Sequence, residues 1–85
     1  MKTFNYTITD PEGIHARPAG LLVKEVAKFA GKVTIEKAGR EVDAKRIMGV
    51  MSLGAKNGES VTIKVEGEGE EQAAQDLEAF FKENL

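Results

Sequence analysis

Cysteine and tryptophan are absent from this chain of 85 residues, and histidine occurs once. Without thiols there is no disulfide and no thiolate metal site, and a single imidazole cannot build a structural zinc site. Only four Phe and one Tyr are present, so the core must be mainly aliphatic. No apolar run is long enough to cross a bilayer, and Met1-Lys2-Thr3-Phe4-Asn5 leads into polar alternation rather than the apolar stretch of a signal peptide. The expectation is a cytoplasmic protein. A chain of this length buries only about 60% of the surface its unfolded form exposes, which suits one modest core and a single domain over residues 1–85.

The net charge of −2 conceals an asymmetry. Residues 15–46 carry eight Lys or Arg against four acids, whereas residues 59–85 carry eight acids against Lys64 and Lys82. The basic stretch holds Phe29 as its only aromatic, and that residue fits a core face, so the stacking platforms of a nucleic-acid binder are missing. No nucleic-acid partner is expected. Steering of acidic protein partners suits the positive stretch better.

Hydrophobic periodicity predicts seven elements in the order βαββαβα. Phe4, Tyr6 and Ile8 alternate with polar residues, and Asp10-Pro11-Glu12-Gly13 breaks that first strand. A helix follows from about Ala16 to Ala30, with Leu22, Val26 and Phe29 on one face and Gly31 as a left-handed cap. Val33, Ile35 and Val42 outline a hairpin with a glycine turn at Ala38-Gly39, and a short helix from about Ile47 to Leu53 ends at Gly54. Asn57-Gly58 turns the chain into a last strand carrying Val61, Ile63 and Val65. The final helix, about Glu70 to Asn84, should face inward through Ala73, Leu77 and Phe80 or Phe81, with Leu85 as a further candidate. Four half-buried strands and three helices imply an α+β fold, an antiparallel sheet with its helices on one face.

The histidine lies in Gly13-Ile14-His15-Ala16-Arg17-Pro18-Ala19. Its position places His15 at a helix start, and Pro18 agrees, since proline is tolerated in a first turn, where its missing N–H leaves no bond unmade. A nitrogen nucleophile, unpaired backbone N–H groups, the positive end of a helix dipole and the Arg17 guanidinium then converge. Such a place suits a dianionic phosphoryl group. An ordinary imidazole has a pKa of about 6.5 and is a good nucleophile near neutrality, and the phosphoramidate it forms is labile enough to pass its phosphoryl group on.

The segment Ile14 to Ala19 closely resembles the active-site segment of HPr, the histidine-containing phosphocarrier family of the bacterial sugar phosphotransferase system. Ile47-Met48-Gly49-Val50-Met51-Ser52-Leu53-Gly54 resembles the second signature of HPr proteins from Gram-positive bacteria, and the likeness extends from about residue 2 to the C-terminus. This resemblance implies an open-faced β-sandwich with strand order 1-4-2-3. It further implies that Nδ1 of His15 accepts a phosphoryl group from enzyme I and donates it to the A domains of sugar-specific enzyme II components. Arg17 would be the charge partner, with Ala16 and Pro18 shaping the helix start. The implied protein is a carrier rather than an enzyme and a monomer without metal or cofactor, with transcriptional regulators as a further class of partner.

In the short helix Val50 and Leu53 fit inward, Ile47 lies at the boundary, and Met48 and Met51 point elsewhere. Spacing alone allows a buried helix as readily as an adaptable contact surface. The resemblance favours a docking surface of Ile47, Met48 and Met51 with Arg17, Gly20 and Lys24. One position departs from the family pattern. Arg46 stands where Gram-positive members carry a serine that a dedicated kinase modifies, which weakens the expectation of serine regulation. A regulatory module of the same fold, acting by docking or in nitrogen-linked phosphotransfer, is the alternative function.

Overall fold

Alternation in the first residues produces strand β1 (Lys2–Thr7), whose Phe4 and Tyr6 point to the side that becomes the core while Thr3, Asn5 and Thr7 face solvent. The computed structural model describes residues 1–85, and continues through helix α1 (Ala16–Ala27), strands β2 (Lys32–Lys37) and β3 (Arg40–Asp43), helix α2 (Ile47–Ser52), strand β4 (Ser60–Glu66) and helix α3 (Glu70–Asn84). All strand pairs are antiparallel and the order is β1-β4-β2-β3. The strand last in sequence therefore sits inside the sheet. Val61, Ile63 and Val65 of β4 are almost completely buried, with Val33 and Ile35 of β2 beside them.

The core is one cluster of 17 buried residues, to which α1 contributes Leu22 and Val26, α2 Val50, and α3 Leu77 and Phe81. The choice between Phe80 and Phe81 falls to Phe81. Its ring meets Phe4 edge-on at 5.8 Å and Tyr6 at 5.5 Å between centroids, so β1 is held through aromatic contacts as well as its ladder. Phe80 is half-buried beside it, and Leu85 is buried.

Two expectations about α1 change. The helix ends at Ala27 rather than near Ala30, because the N–H groups of Lys28 and Phe29 turn to the carbonyls of Glu25 and Val26 in a tightened last turn. Gly31 has no left-handed conformation and caps nothing. A Cβ there would overlap the Glu66 carbonyl oxygen and come within 2.5 Å of the Phe29 ring. Gly31 is glycine because the α1–β2 connection passes directly against the end of β4. The β2–β3 hairpin does use left-handed residues, Ala38 at φ 52° and Gly39 at φ 85°, between the paired Lys37 and Arg40.

On the open face of the sheet Thr34 is only 8% exposed, although it lies on the polar side. Its hydroxyl donates to Glu41 at 3.0 Å, and Lys64 bridges Glu41 and Glu36 at 3.1 and 3.2 Å. These bonds, to Glu41 first and Glu36 second, hold the Lys64 ammonium above the ordinary lysine range. Lys64 and Thr34 in turn hold the Glu41 carboxyl below the usual carboxylate range. Part of the positive stretch is likewise consumed structurally. Lys37 donates to the carbonyls of Leu53 and Gly54 and pairs with Glu59 at 2.9 Å, and Arg40 bonds the carbonyl and hydroxyl of Ser52. Two cations thus sit at the negative end of α2.

The start of α2 has no such support. Arg46 occupies the N-cap in an extended conformation without a side-chain bond to the helix, and its guanidinium forms no ion pair. Asp43 does meet it, but through the backbone: the Arg46 N–H donates to the Asp43 carbonyl at 3.1 Å, while the Asp43 carboxylate accepts from Lys45 N–H. Replacing Arg46 by Ser should therefore stabilise the fold by about 1 kcal/mol in urea unfolding, as a hydroxyl takes up an orphan N–H. Gly31→Ala should act in the other direction, by about 2 kcal/mol, since backbone and an aromatic ring must both shift. An unchanged unfolding midpoint for Gly31→Ala would refute the close approach.

Candidate functional site

Between β1 and α1 the chain makes a tight loop whose path is set by atoms distant in sequence. The N–H groups of Thr9 and Asp10 donate to the Leu85 carbonyl oxygen, Asn57 reaches the Thr9 carbonyl at 3.0 Å, and Ile14 N–H donates to Ala55 at 2.9 Å. Gly13 adopts φ 70°, and a Cβ on it would overlap the Ala55 carbonyl oxygen and approach Lys56 Cα to 2.8 Å. No other residue fits there, by conformation and by space. Ile14, 5% exposed, is consequently drawn into the core and the next residue is delivered to the surface.

That residue is His15, the N-cap of α1, with backbone φ −98° and ψ −173°. Its side chain does not cap the helix and is 36% exposed, so the ring is accessible from the surface. Pro18 and Ala19 are buried, which anchors the first turn, whereas Ala16 and Arg17 are exposed. No carbonyl of the chain accepts from the N–H groups of Ala16 and Arg17, and Pro18 has none. The Arg17 guanidinium has no carboxylate partner and no hydrogen bond within the chain. A depression lined by His15, Arg17, Pro18 and Leu21 joins them. Unpaired donors, an unpaired cation and an accessible imidazole therefore share one surface, the arrangement that holds an anionic group.

Five neighbours of this place, Pro11 among them, were not anticipated from the chain. Asp10 and Glu12 bring carboxylate oxygens to 3.9 and 3.4 Å from His15 Nε2, and Glu83 and Asn84 at the end of α3 line the same depression. Glu12 had a local signal, lying three residues before the histidine. Glu83 and Asn84 had none, because only the packing of α3 brings them there. Leu21 is the other omission: it is exposed next to the fully buried Leu22, as two consecutive helical residues about 100° apart must be.

The remaining candidates lie along α1 and α2. Gly20 faces Ile47, whose Cδ1 is 3.7 Å from where a Cβ would stand, so α2 leans on α1 at this position. Lys24 is exposed and has no ion pair. Val50 and Leu53 point into the core as expected, and Met48 is 73% exposed, with Ile47 and Met51 exposed beside it. The buried-helix alternative for these three side chains is therefore excluded. No group of His, Asp or Glu side chains is arranged to hold a metal ion, and no helix is long and apolar enough to cross a membrane.

Comparison with known proteins agrees with this geometry. A family profile described as the phosphotransferase-system HPr component phosphorylation site matches residues 2–83. The phosphocarrier protein HPr of Lysinibacillus sphaericus is 42% identical over 83 residues, covering 98% of this chain and 94% of that protein. An HPr crystal structure from Thermoanaerobacter tengcongensis superposes with a TM-score of 0.93 at 39% identity, over 99% of this chain and 94% of that one. The catabolite-repression protein Crh of Bacillus subtilis, solved as a dimer with a swapping domain, is 43% identical with a TM-score of 0.79, over 88% and 86% of the two chains. The exposed imidazole at a helix start, the open-faced sheet of order 1-4-2-3 and a match over nearly the whole length have one meaning: this chain belongs to the HPr family, the phosphocarriers of the bacterial phosphotransferase system.

Proposed function

We propose that Nδ1 of His15 receives a phosphoryl group from the phosphohistidine of enzyme I and passes it to the A domains of sugar-specific enzyme II components, in the cytoplasm and as a monomer. The observation that carries this proposal is the unpaired Arg17 guanidinium beside an exposed helix-start imidazole with free backbone N–H groups. In each transfer the nitrogen lone pair forms the new P–N bond as the P–N bond to the donor histidine breaks, with the electron pair left on the departing nitrogen. The carrier has little covalent work beyond this. Arg17 and the two N–H groups offset the phosphoryl charge, and Pro18 fixes the turn that presents them.

Recognition is assigned to the exposed apolar side chains Leu21, Ile47, Met48 and Met51 together with the cations Lys24 of α1 and Lys45 and Arg46 just before α2. None of these three cations has an ion-pair partner, unlike Lys28, Lys37 and Lys64. Acidic partners thus meet unneutralised charge, and the flexible methionines suit more than one partner surface. Arg46 leaves no hydroxyl at the N-cap of α2 for a serine kinase to modify.

Incubation with enzyme I and phosphoenolpyruvate should place one acid-labile phosphate on the wild type and none on His15→Ala, with unfolding free energies within about 0.5 kcal/mol of each other. Arg17→Ala should slow transfer to an A domain about tenfold, the effect shrinking at high salt. A phosphate mapped to another residue, or a wild type that accepts none, overturns the assignment and favours a regulatory docking module. For the contact surface, Met48→Asp should weaken enzyme I binding about tenfold with little change in stability. Gly20→Ala should stabilise α1 by about 0.5–1 kcal/mol, since the added methyl meets Ile47 only at ordinary contact distance. Loss of stability without loss of affinity in Met48→Asp would return that methionine to a structural role.

A further inference from the structure

Two carboxylates lie within 3.9 Å of one ring nitrogen of His15. Glu12 Oε2 is 3.4 Å and Asp10 Oδ1 3.9 Å from Nε2. Negative charge beside a group assigned to accept a phosphoryl dianion works against that dianion by simple Coulomb repulsion, so its placement calls for another role. The two acids are held differently. Asp10 is 26% exposed and its Oδ1 accepts the Glu12 N–H at 2.8 Å, while its own N–H donates to Leu85 and its carbonyl accepts from Gly13 at 3.0 Å. Glu12 is 72% exposed and reaches the ring from three residues upstream. The first carboxylate is fixed by the loop, and the second is the nearer and freer.

A neutral imidazole bears its one proton on either nitrogen, and the partner of one nitrogen decides where that proton resides. Neither carboxylate is hydrogen-bonded to the ring at 3.4 and 3.9 Å, but their charge attracts a proton on Nε2 and repels a lone pair there. We propose that Asp10 and Glu12 are positioning residues that favour the Nε2–H tautomer of neutral His15, so that the lone pair is presented on Nδ1, the other ring nitrogen. This rests on His15 being the phosphoryl acceptor for its purpose, but not for its observation. The arrangement orients a nucleophile as an outer carboxylate orients a ligating histidine. Their charge also keeps the bound phosphoryl group from being held too firmly, which suits a carrier that must release it. The other groups at the depression do not substitute for them: Arg17 offers a cation, Asn84 an uncharged amide and Glu83 a carboxylate that forms no ion pair with the ring.

The test uses the unphosphorylated protein alone, with no donor present, so failure of phosphotransfer and failure of the tautomer proposal are separate results. Because there is one histidine, long-range proton–nitrogen spectra of the ¹⁵N-labelled chain at alkaline pH give a single imidazole pattern. The wild type should show a protonated Nε2 and an unprotonated Nδ1. In Asp10→Asn combined with Glu12→Gln, the ratio of Nε2–H to Nδ1–H should fall roughly threefold, the size expected for an exposed charge-assisted contact. Glu12→Gln alone, at an exposed side chain whose backbone N–H bond to Asp10 is retained, should give a smaller shift in the same direction without disturbing the fold. A wild type that is mainly Nδ1–H, or a ratio unchanged in both variants while the backbone amide spectrum remains native, overturns the proposal.

Discussion

The close backbone approach of Gly13 to Ala55 and Lys56 is the constraint on which the functional surface depends. Conformation and space both demand glycine there, and the Ile14 N–H bond to the Ala55 carbonyl follows from the contact. With Ile14 in the core, His15 has no choice but to leave it, and α1 begins at the next residue. A loop connecting a strand to a helix would ordinarily be among the more mobile parts of a small domain. Here it is tied to the β4 approach through residues 55–58 and to the end of α3 through Leu85.

The same economy separates structural charge from free charge. Lys37 and Arg40 are bound to the C-terminal carbonyls of α2, and Lys64 ties Glu36 and Glu41 across the open face of the sheet. Arg17, Lys24, Lys45 and Arg46 have no such obligations. The basic excess in the middle of the chain is therefore divided between cations held in structural contacts and cations left unpaired. The uncapped start of α2 is consistent with this division, because Arg46 gives up a local helix bond and remains exposed.

Much of the architecture was legible in the residues themselves. Period-two alternation located the faces of β1, β2 and β4, and helical spacing identified Leu22, Val26, Leu77 and the inward pair of α2, since these patterns depend on neighbours a few positions apart. The segment from Gly13 to Pro18 announced a helix start with free N–H groups for the same reason: Pro18 and the orphan N–H groups are features of one turn. Strand order 1-4-2-3 was carried only by resemblance to HPr, as periodicity does not say which strand lies beside which.

What escaped was contact through space. Gly31 reads as a helix cap and is instead the point where the α1–β2 connection touches the end of β4. Thr34 alternates outward yet is covered by the side chains bridging the open face, and the choice of Phe81 over Phe80 waits on β1 presenting Phe4 and Tyr6. At the site the chain itself placed His15, its cationic neighbour Arg17 and the helix start that displays them, because those residues lie within one turn of sequence. Only the tertiary structure decided which ring nitrogen meets Asp10 and Glu12 and that α3 closes the depression, because the loop turns back on itself under bonds from residues more than forty positions away.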